Sequence, residues 1–236
     1  LWDTQWKAFS RRFKVIRYDI RGFGQSARAH DPHNPSDDLK ALLDYLKIAK
    51  AHVVGLAMGG NIALYFAAKY PDRVLKVVPT GAAIDGILEY TSQHTAIVGK
   101  IVDMASHQGW HDEQQEIWLR SSIMRLYAAD DKTVINLSEM IADYHGDHFI
   151  NPRIDPFFGT PSTLELLPTI TAPTLVVVGE KDEESFQRMA NLMTKKIPDV
   201  RKAVIKGAGH LSNMDKPRAF NRVVISFLNT KPGSAR

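Results

Sequence analysis

A chain of 236 residues, 44% apolar and 24% charged, is long enough to bury one sizeable core or a core with a small helical addition. Its formal net charge of +4 comes from Lys and Arg scattered along the chain rather than gathered into a stripe, which gives no footing for a nucleic-acid partner. It has no cysteine, which excludes disulfides, thiolate metal sites and a cysteine nucleophile and fits a reducing, cytoplasmic location, and it has no apolar run long enough to cross a bilayer.

The N-terminus Leu1-Trp2-Asp3-Thr4-Gln5-Trp6 has neither the basic start nor the apolar stretch of a signal peptide. Residues 14–19 (KVIRYD) are the first strand candidate. In the following turn (YDIRGFGQS, residues 18–26) Asp19, Arg21 and Ser26 are the expected hydrogen-bonding staples, with Gly22 and Gly24 permitting tight backbone. A helix is predicted over residues 36–46 with Ser36 as its N-cap, then a strand over 52–55, a helix over 60–69 and a strand over 74–79.

From 82 to 168 the pattern changes to helical segments without convincing strands, carrying Met104, Trp110, Trp118, Met124 and Met140, which read as packing residues. Within it, Asp143, His145, Asp147 and His148 superficially suggest metal ligands, but their spacing matches no compact motif and solvated polar residues are expected; no metal is predicted. Strands follow at 174–179 and 202–205 and helices at 185–197 and 217–228, the last with Pro217 in its first turn, before a polar tail at 231–236 expected to fray.

Strands alternating with helices imply an α/β architecture, a mostly parallel sheet flanked by helices. The core would comprise residues 1–81 and 169–236, and residues 82–168 would form a helical lid over the C-terminal edge of the sheet, where open α/β sheets bind ligands.

The segment His52-Val-Val-Gly-Leu-Ala57-Met-Gly-Gly-Asn61 predicts a strand running into a helix through a tight turn. In G-x-S-x-G sequences the central residue sits at a strained apex with its side chain above the sheet. Here that nucleophile position holds Ala57. The N–H of Met58, at the start of the following helix, is a candidate oxyanion donor. Asp182 follows one strand in Gly-Glu-Lys-Asp and His210 follows the next in Gly-Ala-Gly-His, giving the order nucleophile, acid, histidine at successive strand ends. Glu183 and Glu184 compete with Asp182 for the acid's place, and the strand end favours Asp182. Asp182 would orient the imidazole of His210, which would relay a proton between nucleophile and leaving group.

Residues 18–26, 55–60 (GLAMGG), 173–182 (PTLVVVGEKD), 207–210 (GAGH) and 214–217 (MDKP), in this order, together resemble the α/β-hydrolase family, and within it the 3-oxoadipate enol-lactonase-like esterases and lactonases. The resemblance implies hydrolysis of a small carboxylic ester or lactone by a Ser-His-Asp triad with no cofactor; that small molecule is the expected partner, with no nucleic acid and no membrane. It also implies two departures. Ala57 stands where the family's nucleophilic serine belongs, and the strand ending in His-Gly that supplies the second oxyanion N–H has no counterpart, so N-terminal strands of the fold are expected to be missing.

Ala57 admits three readings: an inactivated serine enzyme, a natural relative without a nucleophile, and an unrelated glycine-rich turn, which the rest of the constellation disfavours. The functional alternatives are a disabled hydrolase, a non-catalytic binding or signalling module on the same scaffold, and a lyase or water-adding enzyme in which His210 is itself the base.

Overall fold

The computed structural model describes residues 1–87, 90–150 and 160–230. Four strands, β1 (Ala51–Leu56), β2 (Val74–Thr80), β3 (Thr174–Gly179) and β4 (Val200–Ile205), pair in chain order as a wholly parallel sheet. The two central strands show why the sequence reads as continuous apolar runs rather than as alternation. Val77, Val176 and Val178 pack on one face while Val78, Leu175 and Val177 pack on the other, so both faces are buried.

One face is covered by α2 (Pro35–Tyr45), α3 (Met58–Lys69) and α9 (Glu184–Lys196). Helix α9 presents Phe186, Met189, Ala190 and Met193, a stripe at threes and fours, and α3 contributes the fully buried Leu64 and Phe66. The other face is covered by α1 (Asp3–Phe9) and α11 (Pro217–Asn229), the latter through Phe220, Val224, Phe227 and Leu228. Gln5 fastens α1 by donating its amide to Asn213 O and Asn221 Oδ1, each at 3.0 Å.

Beneath α11 lies Lys76, a lysine 4% exposed on a strand. Its ammonium donates to Phe227 O at 2.7 Å, Leu228 O at 3.1 Å and Thr230 Oγ1 at 2.8 Å, and also to Thr230 O, while standing over the Phe227 ring. The carbonyls at a helix C-terminus have no partner within the helix, so a buried cation there meets both needs.

Two expectations about local structure are corrected. Residues 14–19 join no strand: Val15 packs against the α11 side of the core, but Ile16 and Tyr18 are more than a third exposed and no ladder holds the segment. β-Branched composition favours extended backbone, yet a strand needs a partner. The cap of α2 is Asn34 rather than Ser36: Asn34 Oδ1 accepts the Ser36 N–H at 3.0 Å, and Pro35, with no N–H to leave unpaired, takes the first helical position. Pro217 does open α11, as expected.

Between β2 and β3 the described residues contain helices and no strand: α4 (Ser92–Gln108), α5 (Asp112–Leu119), α6 (Asp131–Ala142), α7 (Asp147–Ile150) and α8 (Thr163–Leu166). Thr91, Asp130 and Ser162 cap three of them through side-chain oxygens that accept first-turn N–H groups. Trp110 stacks on Phe149 at 5.2 Å and Trp118 meets the same ring edge-on, so these tryptophans are packing residues. Met124 and Met140 pack in a neighbouring cluster. The expected fraying tail lies outside the described residues.

Candidate functional site

The strand β1 passes into α3 through Ala57, whose φ of 51° and ψ of −116° lie where residues other than glycine rarely go. Backbone hydrogen bonds hold it: Ala57 N donates to Thr80 O at 2.9 Å, and Ala57 O accepts from Gly60 N at 3.0 Å, Asn61 N at 3.1 Å and Ala83 N at 3.4 Å. The glycines around it differ in necessity. A Cβ on Gly55 would lie 1.9 Å from Gly59 O, and one on Gly60 would lie 2.7 Å from the Ala82 methyl, whereas one on Gly59 would meet nothing within 4 Å. The tight crossing of strand and helix therefore requires Gly55 and Gly60. Met58 is the first residue of α3, so its N–H has no acceptor within the helix.

At the ends of β3 and β4, His210 Nδ1 lies 3.0 Å from Asp182 Oδ1 and 3.1 Å from Oδ2. Both side chains are withdrawn from solvent, at 2% and 0% exposure, so His210 is not a solvated loop histidine. The acid is itself held, since Asp182 Oδ1 accepts the Glu183 N–H at 2.8 Å. With Nδ1 directed at a carboxylate, the imidazole keeps its proton there and leaves Nε2 as the basic nitrogen. The Phe186 ring supports the imidazole from 4.2 Å.

Elbow and dyad are joined through the end of β2. Thr80 O receives the Ala57 N–H, and the next residue, Gly81, at φ +45°, runs so close to the dyad that a Cβ there would stand 3.0 Å from His210 Nδ1 and 3.2 Å from Asp182 Oδ2. Ala57 further packs in one cluster with Leu211, the neighbour of His210. The structure thus brings Ala57, Met58, Asp182 and His210 to the same edge of the sheet. The competing carboxylates are engaged elsewhere, Glu184 with Arg188 at 2.7 Å and Glu183 with the helical insertion.

Three sets of polar contacts, two of them beside the dyad, were not legible in the sequence. Glu183 accepts from His94 Nδ1 at 3.1 Å and from Ser122 Oγ, joining α4 and the segment after α5 to the residue beside Asp182. Burial pushes its carboxyl pKa up, but the hydrogen bonds from His94 and Ser122 and the nearby imidazoles outweigh that and hold it below the usual range. Asp215 accepts backbone N–H groups from Tyr127, Ala128 and Gly209. Asp147 forms a forked ion pair with Arg28.

The last contact corrects an expectation. Asp143 and His145 are exposed, but Asp147 is 6% exposed, and His148 packs 4.0 Å from the Phe149 ring and receives the Tyr144 hydroxyl. Burial pushes the His148 imidazole down to about 4, against the opposing pull of Asp147. The partner of Asp147, Arg28, lies 119 positions away, where spacing along the chain gives no sign of it. The staples of the 18–26 turn are as expected: Asp19 Oδ2 accepts the Gln25 N–H, Ser26 Oγ donates to Asp19 O, and Arg21 pairs with Asp38. Among the described residues no group of three or more His, Asp or Glu side chains is arranged to hold a metal ion, and no helix is long and apolar enough to cross a membrane.

Compared with known proteins, residues 1–217 match the family described as alpha/beta hydrolase fold. The chain is 30% identical over 240 residues to "Putative carbamate hydrolase RutD" of Caulobacter sp. (strain K31), covering 97% of this chain and 85% of that protein. Among solved structures it is similar to a thermophilic esterase from Thermogutta terrifontis with malate bound, at a TM-score of 0.78 and 25% identity over 96% of this chain and 84% of that one. It is also similar to a serine-to-alanine mutant of the meta-cleavage product hydrolase of Pseudomonas fluorescens IP01 complexed with acetates, at a TM-score of 0.71 and 25% identity over 97% and 84% of the two chains.

Proposed function

The chain belongs to the alpha/beta hydrolase fold family, and from that membership we propose that it is a small-molecule hydrolase scaffold for carboxylic esters or lactones whose covalent step is absent because Ala57 occupies the nucleophile position. The observation that carries this reading is the hydrogen-bonded, solvent-excluded pair His210 and Asp182 beside an apex that keeps its strained φ of 51° while bearing only a methyl group.

In the serine form of such a site, the hydroxyl at 57 attacks the substrate carbonyl as His210 Nε2 removes its proton. The Met58 N–H holds the oxyanion, and His210 returns the proton to the departing alcohol. Water, deprotonated by the same nitrogen, then releases the acid. Asp182 stabilises the imidazolium formed in each half. With alanine at 57 there is no hydroxyl to deprotonate, so substrate binds, its carbonyl meets the Met58 N–H, and no acyl-enzyme forms. Direct activation of water by His210 is the remaining route, and about 10³–10⁴-fold acceleration over water is typical of serine enzymes that have lost a triad member. In this reading the helices between β2 and β3 act as a lid that selects the acyl and alcohol groups. The carbonyl at the reacting centre is common to an ester, a lactone and the carbamate in the name of the Caulobacter relative.

Hydrolysis of p-nitrophenyl acetate and butyrate by the protein and by its Ala57→Ser variant tests the proposal. The serine variant is expected to turn over with an initial burst that disappears with His210→Ala, while the parent forms no acyl adduct on the elbow peptide by mass spectrometry. Turnover by the parent equal to that of the serine variant, or an acyl adduct on the parent, would sink it. Tight binding without turnover even after Ala57→Ser would instead support a ligand-binding module.

A further inference from the structure

Five positions beyond His210 stands a buried carboxylate with two separate obligations. Asp215 is 2% exposed, at the end of α10 (Ser212–Asp215), and is fixed there by its own N–H, which donates to Leu211 O at 2.9 Å. Its Oδ2 accepts the Gly209 N–H at 2.8 Å, on the residue immediately before His210. Its Oδ1 accepts the N–H groups of Tyr127 at 2.9 Å and Ala128 at 2.6 Å, which belong to the insertion between β2 and β3, more than eighty positions earlier in the chain. The same two segments also meet by shape. A Cβ on Gly209 would stand 2.7 Å from the Tyr127 ring and 3.0 Å from Arg125 O, and on the other side the Gly209 carbonyl lies 2.1 Å from where a Cβ of Gly179 would be. Gly209 is therefore held between β3 and the insertion.

A buried carboxylate is tolerable only while its oxygens are satisfied, and here the donors to one oxygen come entirely from the insertion. When the 127–128 segment is seated, Asp215 is fully engaged and its second oxygen fixes the peptide that leads into His210. When that segment leaves, Oδ1 loses both donors, the carboxylate must turn toward water, and the Gly209 peptide loses its anchor. We propose that Asp215 is a positioning residue that makes the alignment of His210 against Asp182 conditional on the seating of residues 127 and 128. The site is then assembled only when the helical insertion is in place. The proposal concerns the site named under the proposed function, but its main test needs no turnover, so the two can fail separately.

The test is the solvent-exchange rate of the His210 Nδ1 proton, followed by NMR in the protein as it stands with Ala57. Asp215→Asn preserves volume but replaces one acceptor oxygen with an NH₂, so it can satisfy Gly209 or the insertion and not both. Exchange is expected to accelerate about tenfold or more in Asp215→Asn and to stay near the parent rate in Asp147→Asn, which weakens a different attachment of the same insertion. Equal acceleration in both variants means that Asp215 is one structural tie among several, and no acceleration in Asp215→Asn means that His210 is aligned without it; either result overturns the proposal. Should Asp215→Asn fail to fold, Tyr127→Ala, which removes the ring pressed on Gly209, decides in its place by the same comparison. In the Ala57→Ser background, Asp215→Asn is further expected to lower kcat roughly ten- to a hundredfold, the cost of a misplacement on the order of 1 Å, with little change in KM.

Discussion

The sheet and the helical insertion are held by different forces. Around β2 and β3 the contacts are predominantly apolar, with Phe66, Val77, Val176 and Val178 fully buried on one face, while the other face adds the buried Lys76 to Val78, Leu175 and Val177. The insertion has an apolar cluster of its own around Phe149, while its Leu137 and Ile141 pack with Leu56, Leu211 and Met214 of the core. Its ties to the rest of the molecule, however, include three carboxylates: Asp147 with Arg28, Glu183 with His94 and Ser122, and Asp215 with the Tyr127 and Ala128 amides. Apolar contact is insensitive to pH and tolerates sliding, whereas a buried carboxylate is directional and fails when protonated or unpartnered. The apolar scaffold therefore resists acid, while the attachments of the insertion depend on the charge and the partners of single carboxylates.

The sharpest test of the contrast is a core truncation. Phe66→Ala is expected to cost about 3–5 kcal/mol, measured by urea unfolding, and to accelerate hydrogen exchange in the sheet and insertion together. A loss confined to the insertion would break the comparison.

Acid is the next lever. Burial keeps His148 neutral in the fold down to about pH 4, while an unfolded chain takes up that proton near 6.5, so stability falls as pH drops through this window, by up to about 3 kcal/mol. Glu183 acts lower: its depressed folded value contributes stability above the ordinary carboxylate range that is lost as pH falls through the folded value. Hydrogen exchange between pH 7 and 4 should therefore rise in α6 and α7 before it rises in β2 and β3. His148→Phe should flatten the upper part of that slope, and an unchanged slope would show that the imidazole is not its source.

Smaller still is Arg28→Ala, expected to cost about 1 kcal/mol, because the arginine is half exposed even though its partner is buried. Its effect should appear in exchange around α7 and leave the sheet untouched. A comparable loss in β3 would mean that the two regions unfold as one.

The same division governs what could be read in advance. Strand β3 was legible because burial on both faces demands an unbroken apolar run, β2 because Lys76 alone interrupts its apolar residues from Val74 to Val78, and the elbow because close approach at Gly55 and Gly60 demands glycine. His210 and Asp182 were legible because each follows a strand end, and the structure sets them 3.0 Å apart. Residues 14–19 misled because composition reports a preference for extended backbone and says nothing about a neighbouring strand. Asp147 and His148 misled in the opposite direction: Arg28 lies 119 positions away, and no local pattern distinguishes a carboxylate that finds such a partner from one that stays in water. Asp215 lay within a recognised motif, but its donors come from the least patterned part of the chain.

Lys76 sets a limit on how the molecule can be shortened. Its ammonium is answered by groups of Phe227, Leu228 and Thr230, so a variant cut before Phe227 would leave a lysine under the sheet with none of these acceptors. The interior charge sets a boundary for engineering: trimming back into α11 removes the counterpart of a cation that the rest of the core was not built to hold.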